Sequence, residues 1–72
     1  MKFLSYQLKM VNLANVSDIN ISNNYLVLTM IDGREQRFIY GAEADLKRVF
    51  LAIEQFISLK DSNVLDCEKF MQ

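Results

Sequence analysis

Histidine and proline are absent from this 72-residue sequence, which contains one cysteine and two glycines. Without histidine, acid–base catalysis near neutral pH lacks the side chain whose ordinary pKa lies in that range. Zinc sites normally use four cysteine, histidine or carboxylate ligands in close spacing, so we expect no metal and no cofactor. The single cysteine, Cys67, excludes an intramolecular disulfide and is typical of a reduced thiol in the cytosol.

The remaining candidates for catalysis are weak. Cys67 is flanked by Asp66 and Glu68, whose negative charges raise a thiol pKa and so disfavour a nucleophilic thiolate. The two glycines, Gly33 and Gly41, both lie at the ends of apolar segments, and no glycine-rich phosphate loop is present. We therefore predict that the protein is not an enzyme and has no small-molecule substrate.

The charge and hydropathy of the chain also exclude several classes of partner. Eight basic and nine acidic residues give a net charge of −1, so electrostatics favours neither nucleic acid nor an anionic membrane. Polar residues interrupt the apolar N-terminal segment before a signal-peptide core of about 7 to 15 residues can form. No apolar run approaches the roughly 18 residues of a membrane span. We expect a cytoplasmic protein without membrane contact.

The small size of the chain favours self-association. Residues 1–72 are long enough for a single domain, but such a domain buries only about 60% of its unfolded surface and its core supplies only about 3 to 5 kcal/mol. Neither a disulfide nor a metal, the usual additional stabilisers, is expected in this chain. We therefore predict a homodimer or a higher oligomer.

The first half of the chain is predicted to form two strands. Residues 2–11 alternate apolar and polar side chains, the period expected of a half-buried strand. A turn is predicted at residues 12–15, where asparagine is frequent, and a second strand at residues 16–22, where Ile19 and Ile21 alternate with polar residues. Asn23 and Asn24 follow as a second turn, because asparagine tolerates positive φ.

A β-hairpin is predicted over residues 25–31 and 34–40. The pair Asp32-Gly33 between two apolar runs favours a two-residue type I′ turn, which would place Leu28 opposite Arg37. One face of this hairpin then supplies core residues: Tyr25, Val27, Ile31, Phe38 and Tyr40. The other face carries a second apolar strip: Leu26, Leu28, Met30 and Ile39.

A long amphipathic helix is predicted over residues 42–60. Its apolar residues recur at three- and four-residue intervals and form one stripe: Leu46, Val49, Phe50, Ile53, Phe56 and Ile57. Leu51 and Leu59 fall on the opposite side, where single exposed leucines are normal. The tail, residues 61–72, either adds one or two helical turns or frays; its apolar residues are Val64, Leu65, Cys67, Phe70 and Met71.

These elements predict an α+β fold in which an antiparallel sheet of three to four strands packs on one long helix, with a short C-terminal helix or tail. A single helix covers only one face of the sheet. The other face is predicted to be covered either by the tail, through Phe70 and Met71, or by another protein surface. The predicted partner-binding residues are Leu26, Leu28, Met30, Glu35, Arg37 and Ile39.

The function predicted from these patterns is a non-enzymatic protein–protein interaction module that associates with itself and regulates or inhibits a larger protein. A nucleic-acid-binding regulatory protein is the alternative, because basic residues (Arg34, Arg37, Lys47 and Arg48) lie near aromatic ones (Tyr25, Phe38 and Tyr40). The acidic residues between the basic ones, and the assignment of these aromatics to the helix-covered face, disfavour the alternative.

Overall fold

The computed structural model describes residues 1–70 and contains, within them, two small sheets and one long helix. The elements are β1 (Phe3–Tyr6), β2 (Lys9–Asn12), β3 (Val16–Ser22), β4 (Tyr25–Met30), β5 (Glu35–Ile39), α1 (Glu43–Ser58) and β6 (Val64–Asp66). The first sheet has the order β2-β1-β6 and the second has the order β3-β4-β5. The predicted α+β fold is confirmed.

The segment predicted as one strand over residues 2–11 is a hairpin, so that prediction is wrong. Gln7 and Leu8 have φ values of 46° and 61°, the positive values that a two-residue type I′ turn requires. The chain reverses there, and Tyr6 pairs with Lys9. Neither turn residue is a glycine or an asparagine, which is why the sequence carried no turn signal. The backbone N–H of Gln7 donates to Glu68 Oε1 at 2.8 Å and supports the turn.

The two asparagine turns lie where they were predicted. Residues Leu13–Asn15 form a 3₁₀ turn, and the Asn12 side chain accepts a hydrogen bond from the backbone N–H of Ala14 at 3.0 Å. Asn23 has a φ of 55° and begins a hydrogen-bonded turn between β3 and β4. Both turns use the short polar side chain or the tolerance of positive φ on which the prediction rested.

The β4–β5 hairpin has a three-residue loop, residues 31–33, instead of the predicted two-residue turn. The backbone N–H of Met30 donates to the carbonyl of Arg34 at 2.7 Å, and that of Gly33 donates to the carbonyl of Met30 at 2.9 Å. Gly33 takes the positive φ, 91°, while Asp32 does not, the pattern of a three-residue loop ending in a left-handed residue. As a result, Leu26 pairs with Phe38.

The predicted register of this hairpin is therefore wrong by one residue, and this exchanges the faces of β4. A shift of one residue moves every side chain of a strand to the other face. Leu26 and Leu28 lie in the core and are 0% exposed. Ile31, which was predicted to be in the core, lies in the loop and is 67% exposed, and Tyr25 is only half-buried on the outer face.

The two sheets are joined through Tyr6. Its ring stacks on Phe38 with 4.3 Å between the ring centroids and 12° between the planes. Its hydroxyl accepts from the backbone N–H of Ile39 at 2.8 Å and donates to the carbonyl of Ile39 at 3.0 Å. The core formed between the sheets and the helix consists of Leu4, Tyr6, Val11, Leu26, Leu28, Phe38, Tyr40, Leu46, Val49, Ile53, Phe56 and Cys67.

The helix is shorter than predicted and buries a narrower stripe. It ends at Ser58, and the backbone N–H of Leu59 bonds to the carbonyl of Phe56 at 3.2 Å. Of the predicted stripe, Ile57 is 55% exposed and Phe50 is half-buried. Leu51 and Leu59 are exposed, as expected.

The tail, which was predicted to add one or two helical turns or to fray, forms a short strand followed by one helical turn. Its strand, β6, pairs in parallel with β1, with Leu65 next to Leu4, and a 3₁₀ turn follows over Cys67–Phe70. The Tyr40 hydroxyl donates to the carbonyl of Cys67 at 2.7 Å, which fixes this turn on the core. The tail thus completes the first sheet instead of crossing the outer face of the second. Met71 lies outside the described residues.

The three-residue loop predicts unequal effects of the two glycines on stability. Gly33→Ala should lower the free energy of unfolding by about 1 to 2 kcal/mol, because alanine is strained at positive φ, although its Cβ would meet open space. Gly41→Ala is the matched control: the added Cβ also meets open space and the φ is ordinary, so a change within about 0.5 kcal/mol is expected. Urea unfolding measures both, and equal effects would contradict the loop geometry.

The Tyr6 hydroxyl provides a second test of the fold. Tyr6→Phe keeps the ring stack but leaves the N–H and carbonyl of Ile39 without that partner, so a loss of about 1 to 3 kcal/mol is expected. Tyr25→Phe removes a hydroxyl from the outer face of the second sheet and should cost less than about 0.5 kcal/mol. Thermal and urea unfolding compare the two variants, and an unchanged Tyr6→Phe protein would show that the hydroxyl does not join the sheets.

Candidate interaction surface

The six residues predicted to bind a partner do not share a surface. Leu26 and Leu28 are buried and Met30 is half-buried; all three belong to the inner face of the second sheet. The exposed members lie on its outer face: Glu35, Arg37 and Ile39. The one-residue difference in register is the physical reason for this division, because it turned the central apolar strip towards the helix.

The basic residues of the nucleic-acid alternative are paired with carboxylates. Arg34 lies 2.8 Å from Asp32, and Arg37 lies 3.2 Å from Glu35. The helix repeats the pattern with the pairs Lys47–Glu43 and Arg48–Asp45. The stacking positions needed by that alternative are also largely occupied, since Phe38 and Tyr40 are each 1% exposed. These four side chains therefore offer a phosphate backbone little unpaired positive charge.

Cys67 lies in the core and is 0% exposed. Burial and, to a smaller extent, the nearby charge of Asp66 raise the pKa of the Cys67 thiol to about 12, so the thiol stays protonated near neutral pH.

Within residues 1–70, no three side chains of the metal-binding types come together. In the same part of the chain, no helix has the length and apolar character needed to cross a bilayer.

Within residues 1–70, the longest strand at the edge of a sheet is β3. This strand has seven residues, against four for β2 and three for β6, which lie at the edges of the first sheet. The opposite edge of the second sheet, along β5, is contacted by the Tyr6 hydroxyl. Proteins usually protect long edges with lysine or proline, but β3 contains neither and has a single charge, Asp18.

The turn that follows β3 determines which of its backbone groups point outwards. A hydrogen-bonded two-residue turn closes on the pair Ser22–Tyr25, and the pairs of an antiparallel ladder alternate along the strands. Asn20 therefore directs its N–H and carbonyl towards β4, whereas Ile19 and Ile21 direct theirs towards the open side. We call these outward groups the β3 edge.

A groove lies beside the β3 edge, between β3 and the C-terminal half of α1. Its volume is about 550 Å³, and its lining is largely apolar: Lys2, Leu13, Ala14, Val16, Ser17, Asp18, Ile19 and Ile57. Ile57 is 55% exposed, and the neighbouring Ile21 of the inner face is 40% exposed. We call this feature the β3 groove. The alternation of Ile19 and Ile21 was visible in the sequence, but the groove depends on where the helix ends.

Comparison with protein families, with curated proteins and with solved structures finds no match to this chain. Inference about function therefore depends on the surface itself. The β3 edge offers backbone groups that have no partner within residues 1–70, and the β3 groove offers apolar surface next to them. Together they have the two components by which a sheet recognises an added strand.

Because Cys67 is buried, we predict that its thiol does not react with thiol reagents in the folded protein. A thiol-specific reagent should label it near neutral pH only after the chain is unfolded. The free energy of unfolding should also fall as the pH rises from 9.0 towards 12, because the unfolded thiol ionises first while the folded one keeps its proton. Burial raises the pKa of Tyr40 as well and adds to this trend. Rapid labelling without unfolding would contradict the buried position.

Proposed function

We propose that the protein is a non-catalytic interaction module of the cytoplasm that associates with itself through the β3 edge and, once assembled, regulates or inhibits a larger protein. The observation that supports self-association is the β3 edge. The strand that carries it has seven residues, one charge and no protecting lysine or proline. An edge that pairs with its own copy satisfies both sets of backbone groups by one symmetric contact.

Chain length also favours this function. A domain of 72 residues has a small core, and oligomerisation is one of the few ways in which such domains gain stability. Pairing at the β3 edge also covers exposed apolar surface at Ile21 and beside the groove at Ile57. The hydrophobic effect and the new backbone hydrogen bonds then act together.

A second surface remains free in this assembly. The outer face of the second sheet carries Arg37, with its guanidinium carbon 5.7 Å from the centre of the Tyr25 ring. Beside them lies Ile39, which is 56% exposed. An aromatic residue, an arginine and an apolar residue surrounded by polar side chains are typical of protein interfaces. We propose that this face, which includes three of the residues predicted from the sequence, contacts the larger protein.

Ile21→Lys tests self-association. Wild-type protein at about 100 μM should sediment as a dimer if the Kd lies in the micromolar range or below. A lysine next to the outward backbone groups of β3 introduces a charge that the paired edge would have to bury, so Ile21→Lys should sediment as a monomer with an unchanged circular dichroism spectrum.

Ile39→Lys is the matched control, because Ile39 is similarly exposed on a strand of the same sheet but its backbone is bonded to Tyr6. This variant should remain a dimer. A wild-type monomer at that concentration would contradict the proposed function, as would a dimer that neither substitution disturbs. Dissociation by Ile39→Lys alone would place the interface on the outer face instead.

A further inference from the structure

The direction of the outward backbone groups limits how two copies of β3 can pair. The inference drawn from this limit rests on the self-association proposed as the function. A twofold axis perpendicular to the sheet makes two paired edge strands antiparallel. Only residues with outward groups, Ile19 and Ile21, can form the hydrogen-bonded pairs of the new ladder. The axis must also pass through a residue position. An axis midway between two residues would place a residue whose backbone groups point outwards opposite one whose backbone groups point towards β4.

Three positions of the axis satisfy this parity near the middle of β3. An axis at Ile21 would pair Ile19 with Asn23, which lies in the turn with a φ of 55°. An axis at Ile19 would pair Ile21 with Ser17, where the β3–β4 register shifts between Val16 and Asp18. An axis at Asn20 pairs Ile19 with Ile21 of the second copy, and both lie in the regular part of the strand.

The side chains favour the same position. With the axis at Asn20, the inner-face residues Ile19 and Ile21 become cross-strand neighbours, so apolar meets apolar next to the β3 groove. On the outer face, Asp18 lies opposite Ser22 of the second copy, and Asn20 lies opposite its own equivalent. The only charge on the strand does not lie directly opposite itself in any of the three positions, so charge repulsion, which would be destabilising, opposes none of them.

We propose that β3 pairs antiparallel with β3 of a second copy about a twofold axis at Asn20, which joins the two second sheets into one continuous sheet. The two Ile19–Ile21 pairs each exchange both backbone hydrogen bonds. The isoleucines extend the apolar inner face from one copy to the other, and they cover the end of each β3 groove that lies next to the strand. The outer faces, with Arg37 and Ile39, lie on the same side of this joined sheet.

Disulfide trapping tests the position of the axis. In this arrangement Asn20 forms a pair without backbone hydrogen bonds, whose Cα atoms are about 4.5 Å apart, within the range that a disulfide spans. Asn20 is exposed, so Asn20→Cys should fold normally and should form a covalent dimer on mild oxidation. The native Cys67 is buried, and wild-type protein should remain uncrosslinked under the same conditions.

Asp18→Cys and Ser22→Cys are the matched controls, since both positions lie on the same face of the same strand and are exposed. Each variant alone should crosslink about tenfold less than Asn20→Cys, because its thiol lies opposite a serine or an aspartate of the other copy. A mixture of the two variants should form the covalent heterodimer, since positions 18 and 22 are then juxtaposed and have a high effective concentration.

The outcomes separate the axis from the proposed function. A wild-type dimer in which Asp18→Cys or Ser22→Cys alone crosslinks best would overturn the axis at Asn20 and leave self-association intact. Crosslinking of all three single variants to the same extent would overturn the antiparallel pairing. A wild-type monomer by sedimentation would overturn both the axis and the proposed function.

Discussion

The contact that the rest of the molecule depends on is the one between Tyr6 and the end of β5. Its ring packs on Phe38 while its hydroxyl both accepts from and donates to the backbone of Ile39. A hydroxyl can serve both groups because it is donor and acceptor at once. The first sheet is thereby fixed across the inner face of the second, and one edge of the second sheet is contacted by a side chain. Because this contact is made at the β5 edge, β3 at the other edge remains a long strand whose outward backbone groups have no partner in the described part of the chain.

The register of the β4–β5 hairpin was predicted wrongly, although the sequence contains a pattern that favours the correct one. Asp32-Gly33 is compatible with a two-residue turn and with a three-residue loop. In the loop, the Asp32 carboxylate accepts from the N–H of Arg34 at 3.1 Å, and this bond is the main reason that its pKa is lowered. Only the three-residue loop collects Leu26, Leu28 and Phe38 on one face. Comparing how well each register separates apolar from polar residues would have identified it.

The predictions that succeeded rest on local signals. Helical periodicity and asparagine-rich turns are encoded within a few residues, and α1 and both asparagine turns lie close to their predicted places. Two features had no such signal. Gln7 and Leu8 adopt positive φ without being turn formers, and β6 has only three residues and is a strand because β1 lies beside it. The β3 groove likewise depends on tertiary structure, so the candidate site was only partly visible as the alternation of Ile19 and Ile21.

The parallel pairing of β1 with β6 has a consequence for the order of folding. It joins the two ends of the described chain, and the Lys2 ammonium donates to the carbonyl of Ser62 across 60 residues of sequence at 2.7 Å. Chains emerge from the ribosome N-terminus first, so β6, which follows the hairpins and the helix in the sequence, emerges after them. We expect closure of the first sheet to be the last and slowest step, since contacts distant in sequence form late. Until then Leu4 lacks its neighbour Leu65 in the tail, and the nascent chain exposes apolar surface that the folded protein hides.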